Sequence, residues 1–230
     1  MKGIIYVLLA LGLIFIIGCD VDTTCETIKD SVTKDDCIFE RAIASNSLND
    51  CNKIQSELVK NSCIAEIGIA KNDLSICNSI DGQSKDYCTA KIAIENEDFS
   101  LCNDIGNLYW SDLCNRDISI SNNDSTRCVK VTNKLWKDSC YDAIARSTLD
   151  ASTCFFIIND TSHDKCVRQI AIDTLNESLC EETRTVVLGD ICYQRIALLK
   201  LDESICEGAS YWEIQRACVL AVKSKLNQTE

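Results

Sequence analysis

DFSLCNDIGNLYWSDLCNRDISIS at residues 98–121 and DSTRCVKVTNKLWKDSCYDAIARS at residues 124–147 lie twenty-six positions apart and share a skeleton. Each opens on Asp and has Ser or Thr two positions later. A cysteine comes at the fifth place, Ile or Val at the eighth, Asp at the fifteenth, a second cysteine at the seventeenth and Ile at the twenty-first. Two apolar positions held at helical spacing around fixed cysteines describe a supersecondary unit, and a fixed period of this length describes a repeat protein.

Extended outward, the clock covers the chain. After Cys19 the cysteines are separated alternately by twelve and fourteen positions from Cys25 to Cys218, the one exception being the eleven between Cys77 and Cys88. The result is eight units of about 26 residues. Two residues before the first cysteine of a unit stands Thr23, Ser75, Ser100, Thr126, Ser152, Ser178 or Ser204, with Asn49 in the remaining unit. Four residues before it stands Asp73, Asp98, Asp124, Asp150 or Asp202, with Asn176 as an equivalent. Asp or Asn ahead of an apolar run is an N-cap, because its side chain accepts backbone N–H groups that lack a helical partner. A short helix A is therefore expected to begin at the Asp.

The second cysteine sits in a helix B expected to run about three turns. Asp35, Asp86, Asp112, Asp138, Asp164 and Asp190 precede it by two positions and suit the positive end of that helix. Ile67, Ile92, Ile118, Ile144, Ile170, Ile196 and Val222 follow it by four, on the same face. The next position is small (Ala42, Gly68, Ala93, Ser119, Ala145, Ala171, Ala197), which lets a neighbouring helix approach, except that the last unit has Lys223 there. Each unit reads as an αα-hairpin that buries its apolar stripe only by stacking on its neighbours. The expected fold is an all-α solenoid over residues 25–230, and Lys223 marks its water-facing end.

Composition agrees. The chain of 230 residues has seventeen cysteines and no proline, the residue that helix interiors exclude. The formal charge of −12 argues against nucleic acid as a partner and for repulsion of the body from an anionic membrane surface.

Residues 1–18 read as a signal peptide: Lys2, an apolar run from Ile4 to Ile17, then Gly18 before Cys19. The run is too short to span a bilayer, which takes about 20 apolar residues. Ile16-Ile17-Gly18-Cys19 resembles the lipobox of prokaryotic lipoproteins. The resemblance implies a diacylglycerol on Cys19, cleavage before it, a short linker over residues 19–24 and a protein held at the outer face of the cytoplasmic membrane or the cell surface. Two acyl chains suffice for stable anchoring.

An exported chain is disulfide-bonded. Pairing across the shorter gap uses all sixteen remaining cysteines: Cys25–Cys37, Cys51–Cys63, Cys77–Cys88, Cys102–Cys114, Cys128–Cys140, Cys154–Cys166, Cys180–Cys192 and Cys206–Cys218. Pairing across the longer gap strands Cys25 and Cys218. In the fourth unit Gly106 and Asn107 mark the turn, so Cys102 and Cys114 face each other across the hairpin.

No metal, cofactor or catalytic site is expected. There is no C-x-x-C, His163 is the only histidine, and it takes the place of Lys85 and Lys137 at an expected surface position. Trp110, Trp136 and Trp212, near the starts of helix B, are candidate binding aromatics, although packing between hairpins is the commoner role of such residues. Four N-x-S/T sequons, at Asn123, Asn159, Asn176 and Asn227, are expected by chance in a chain so rich in these residues.

Over residues 25–223 the repeat resembles tetratricopeptide-like solenoids in architecture, and more closely secreted bacterial cysteine-rich repeat proteins with one disulfide per hairpin. The period is shorter, so no binding residue is carried over. The expected role of such a solenoid is a monomeric scaffold or protein-binding module with an unknown protein partner. The alternatives are a passive structural or protective surface protein and, further off, a metal-storage or redox protein.

Overall fold

A computed structural model gives the structure and describes residues 24–228. The signal peptide, Cys19 and most of the linker lie outside the described residues. Each of the eight repeats holds one long helix, and these are α1 Ser31–Ser45, α2 Glu57–Ala70, α3 Gly82–Glu95, α4 Leu108–Ser121, α5 Lys134–Thr148, α6 Asp160–Thr174, α7 Val186–Lys200 and α8 Trp212–Leu226. Fourteen or fifteen residues make about four turns at 3.6 per turn, one more than the sequence suggested. The first helix of each repeat is shorter than expected, a single α-turn such as Phe99–Cys102 or a 3-10 stretch such as Ser125–Lys130. The chain divides into two compact units, one up to Cys63 and one from Ile64 onward.

One residue ends each of the first seven long helices and its successor begins the next repeat. Asn46, Asn72, Glu97, Asn123, Leu149, Leu175 and Leu201 stand at φ between 49° and 56°. The following N–H then reaches back to the carbonyl of the small residue in the helix, as in Asp98 to Ala93 and Asp124 to Ser119, both at 2.9 Å. This is the Schellman closure. The side chain of the same Asp turns forward and accepts from the next short helix. Asp98 takes the Ser100 N–H at 2.8 Å and the Ser100 hydroxyl at 2.5 Å, and Asp73, Asp124, Asp150 and Asp202 do the same with Ser75, Thr126, Ser152 and Ser204. The hydroxyl bond, more than any other contact, holds these carboxyls below their ordinary range. The Asp/Ser clock thus records a joint with no loop in it.

The eight disulfides join the pairs across the shorter gap, with Cα atoms 5.6–5.8 Å apart. Fifteen of the sixteen cysteines are buried, Cys37 being half-exposed. In the second unit the apolar interior is a chain of small clusters between repeats. One joins the Cys128–Cys140 and Cys154–Cys166 bridges through Ile144, Ile157 and Ile170. Another joins the last two bridges through Ile196, Ile205 and Val222. The small position explains itself at Gly68: a Cβ there would meet Cys88 Sγ at 3.0 Å, so the next repeat's disulfide fills the space a side chain would need.

The Asp two residues before the second cysteine has a different task from the one its position suggested. It is turned away from its own helix and accepts two consecutive N–H groups in the turn of the following repeat. Asp112 takes Thr132 at 2.7 Å and Asn133 at 2.8 Å, Asp138 takes Ile158 at 2.8 Å and Asn159 at 3.0 Å, and Asp190 takes Ser210 at 2.6 Å and Tyr211 at 3.0 Å. Asp35, Asp86 and Asp164 bind Gln55 and Ser56, Gly106 and Asn107, and Arg184 and Thr185 in the same way. Such an acceptor closes the amide pair that would otherwise be orphaned where one hairpin covers the next. The second repeat has Asn61 at this position and the eighth has Arg216, and in the eighth Lys223 stands in water beside Glu203.

Candidate functional site

Exposed apolar side chains are concentrated on one kind of segment. Of nineteen large ones among the described residues, thirteen fall between the first cysteine of a repeat and the first turn of its long helix. In the second unit these segments are neighbours. Tyr109 and Trp136 meet with ring centroids 5.0 Å apart, and Arg184 reaches from the turn of the seventh repeat to the Ile157 carbonyl and the Asp160 carboxylate of the sixth. The turns therefore form a continuous edge in that unit. The opposite ends of the long helices carry the capping residues Asp98, Asp124, Asp150 and Asp202.

The candidate aromatics have separate fates on this edge. Trp110 is half-buried between Tyr87 at 4.9 Å and Tyr109 at 4.8 Å, so it packs between hairpins. Trp136 is half-buried as well, with the Arg116 guanidinium 4.9 Å from its ring centroid. It closes a shallow cleft of about 310 Å³ with Leu108, Tyr109, Thr132 and Asn133. Trp212 is 64% exposed, and Tyr211 beside it is also exposed. Trp110 and Trp136 therefore belong to one cluster, and Trp212 stands apart at the end of the chain. The sixth and seventh repeats add Phe155, Phe156, Ile158, Val186 and Val187, which the sequence reading did not single out. Their only signal was an apolar residue at a clock position that no neighbouring stripe needs.

His163 is not at the surface. It is 1% exposed, with Nδ1 3.0 Å from Asp164 Oδ1 and Nε2 without a hydrogen-bond partner. Its flat ring fits beneath Phe155, at a centroid distance of 5.6 Å, where a lysine would have to reach for solvent. Burial alone would raise the Asp164 carboxyl. Hydrogen bonds from Thr185, His163 and the amides of Arg184 and Thr185 outweigh it and hold the group below its ordinary range. Three sequon asparagines hold backbone or neighbours: Asn159 and Asn176 cap helices, and Asn123 accepts from Ser147.

No group of His, Cys, Asp and Glu among the described residues is arranged to hold a metal ion, and none of their helices is long and apolar enough to cross a membrane. Eight disulfides belong to an oxidising, extracytoplasmic compartment. No family model matches the chain, and neither a curated protein nor a solved structure matches it.

Proposed function

We propose that this protein is a lipid-anchored, extracytoplasmic scaffold that binds another protein along its turn edge and catalyses no reaction. The observation that carries the binding role is the concentration of exposed apolar side chains on that edge. On the sixth to eighth repeats Phe156, Ile158, Val187 and Trp212 are each at least half exposed. An apolar row in an acidic chain costs solubility unless something covers it, and contiguous apolar patches mark interaction sites. The anchoring role is supported by Gly18-Cys19 after a short apolar run and by the disulfides, which need an oxidising compartment.

A photo-crosslinking residue in place of Trp212, with a control in place of Lys225 near the end of the same helix, tests the binding role in cells. A discrete adduct from position 212 that is absent from position 225 is expected. Equal, diffuse labelling from both would favour a passive surface protein. For the anchor, Cys19→Ser is expected to release the protein from membranes or leave its leader uncleaved. Processing and membrane retention like those of the unaltered chain would remove the lipid from the scheme.

A further inference from the structure

The turn edge changes character along its length, and the change falls at the fifth repeat. That repeat, residues 124–149, holds Arg127, Lys130, Lys134, Lys137 and Arg146 against Asp124, Asp138 and Asp142, and it is the only one of the eight with a net positive charge. Arg127 is paired with Asp124 at 3.1 Å and Arg146 with Asp142 at 2.8 Å, whereas no ion pair among the described residues engages the three lysines. Lys130 ends the 3-10 stretch ahead of the turn, and Lys134 and Lys137 lie at the start of α5. Leu135, 75% exposed, stands among them, and Leu108 and Tyr109 of the fourth repeat adjoin through Trp136.

We propose that the turn edge of the fourth and fifth repeats docks on an anionic phospholipid bilayer. Leu108, Tyr109, Leu135 and Trp136 enter the headgroup region, and Lys130, Lys134 and Lys137 meet lipid phosphates. The combination matches the interface of a bilayer from both sides. Trp and Tyr favour the headgroup level, where one end of the ring is wet and the other apolar. Free lysines beside them are drawn to an anionic leaflet. The net charge of −12 does not prevent this contact. In these two repeats Asp112 and Asp138 are buried and hydrogen-bonded, and Asp117 and Asp142 are paired with Arg116 and Arg146. Asp98, Asp124 and Asp150 cap the far helix ends, about 20 Å away at 1.5 Å per residue, and charge is screened over about 8 Å at physiological salt. Asp104 is the exposed carboxylate that remains in the turns of these two repeats, against three lysines. A protein partner would leave the cationic and apolar groups equally covered, but only a lipid surface makes binding depend on headgroup charge with no protein present.

The proposal rests on the reading of the chain as a resident of a bilayer surface, and its test is separable from that reading. The exported chain carrying Cys19→Ser, isolated with its leader removed and its disulfides formed, is mixed with vesicles of phosphatidylcholine alone and of phosphatidylcholine with phosphatidylglycerol in equal parts. Sedimentation with the mixed vesicles is expected, weakening as salt is raised, with little binding to phosphatidylcholine. Lys130→Gln, Lys134→Gln and Lys137→Gln together are expected to weaken it roughly a hundredfold. The blue shift of tryptophan fluorescence on binding is expected to fall sharply in Trp136→Phe and to persist in Trp212→Phe. These surface changes leave the disulfides and the buried aspartates in place, and circular dichroism checks the fold. No binding of the unaltered chain to anionic vesicles at low salt overturns the proposal, as does binding indifferent to the three lysines. So does protection of those lysines from acetylation in cells without vesicle binding in vitro, which would assign the patch to a protein. Mass spectrometry of Cys19 in the native protein reports the anchor independently, so an acylated chain whose body ignores vesicles removes this inference alone.

Discussion

The fifth and eighth repeats are built on the same plan and differ in what they do for a neighbour. Both hold a buried disulfide, a fifteen-residue helix and a tryptophan near its start. In the fifth, buried Asp138 closes two amides of the sixth repeat, and Ala145 is fully buried in the cluster between them. In the eighth, the corresponding residues are Arg216 and Lys223, both exposed. The eighth repeat keeps the cysteines and apolar residues that build a hairpin and lacks the two residues that in the fifth receive a neighbour. The repeat signature is therefore two signatures overlaid, one for the hairpin and one for the joint.

The sharpest way to break this comparison is to remove the hairpin's own staple. Cys128→Ala with Cys140→Ala is expected to cost about 3 kcal/mol in the chain-entropy account of disulfides. Hydrogen exchange should show lost protection around the fourth to sixth repeats, because in repeat arrays stability is a sum of units and nearest-neighbour contacts. Cys206→Ala with Cys218→Ala should disturb only one neighbour. Uniform loss of protection along the chain in either variant would replace the repeat-by-repeat picture with a single cooperative unit.

Next in size is the joint. Asp138→Ala leaves the amides of Ile158 and Asn159 without an acceptor and is expected to cost roughly 2–3 kcal/mol. Arg216→Ala, at the same register in the eighth repeat, is expected to stay within about 0.5 kcal/mol. Urea unfolding of the two variants measures the difference, and equal costs would deny Asp138 its role across the joint. A smaller effect of opposite sign is expected at Leu149, which holds φ of 54° where glycine is at ease. Leu149→Gly should raise stability by about 0.5–1 kcal/mol by relieving that strain. A loss would mean that the leucine side chain packs usefully on the helix it closes.

Acid should act on the joints together. The capping carboxyls of Asp73, Asp98, Asp124, Asp150 and Asp202 are held low by their Ser or Thr hydroxyls in the folded chain. Their contribution is complete above the unfolded value of about 3.9 and is lost as pH falls through the lower folded values. Melting temperature should be insensitive to these groups near neutrality and decline below about pH 4. A decline already complete at pH 5 would point to other groups.

The hairpin signature was legible because cysteine spacing and apolar period state it twice. The capping Asp was legible for a similar reason, since Asp-x-Ser before a helix is a local pattern. The joint was not. Asp138 lies early in a helix, where a helix dipole explains a carboxylate equally well, and only stacking brings Ile158 and Asn159 to it. Helix length was underestimated because its stop carries no Gly or Pro: Leu149, Leu175 and Leu201 hold a left-handed conformation that their side chains do not advertise. The exposed edge was hidden for a related reason, as Leu135 on a helix start looks like part of a buried stripe until the neighbour is seen to leave it bare. His163 was misplaced at the surface because its register matches lysines elsewhere.

The disulfide across each hairpin also has a mechanical meaning. If the chain were pulled from its two ends, the residues between paired cysteines could not be drawn out, because the bridge carries the load past them. A typical repeat would yield only the fourteen-residue run from one bridge to the next, about 48 Å at roughly 3.4 Å per residue, where an unbridged 26-residue repeat would yield about 88 Å. The array is thus a tether that lengthens in short, equal steps and keeps nearly half of its contour locked until the sulfurs are reduced.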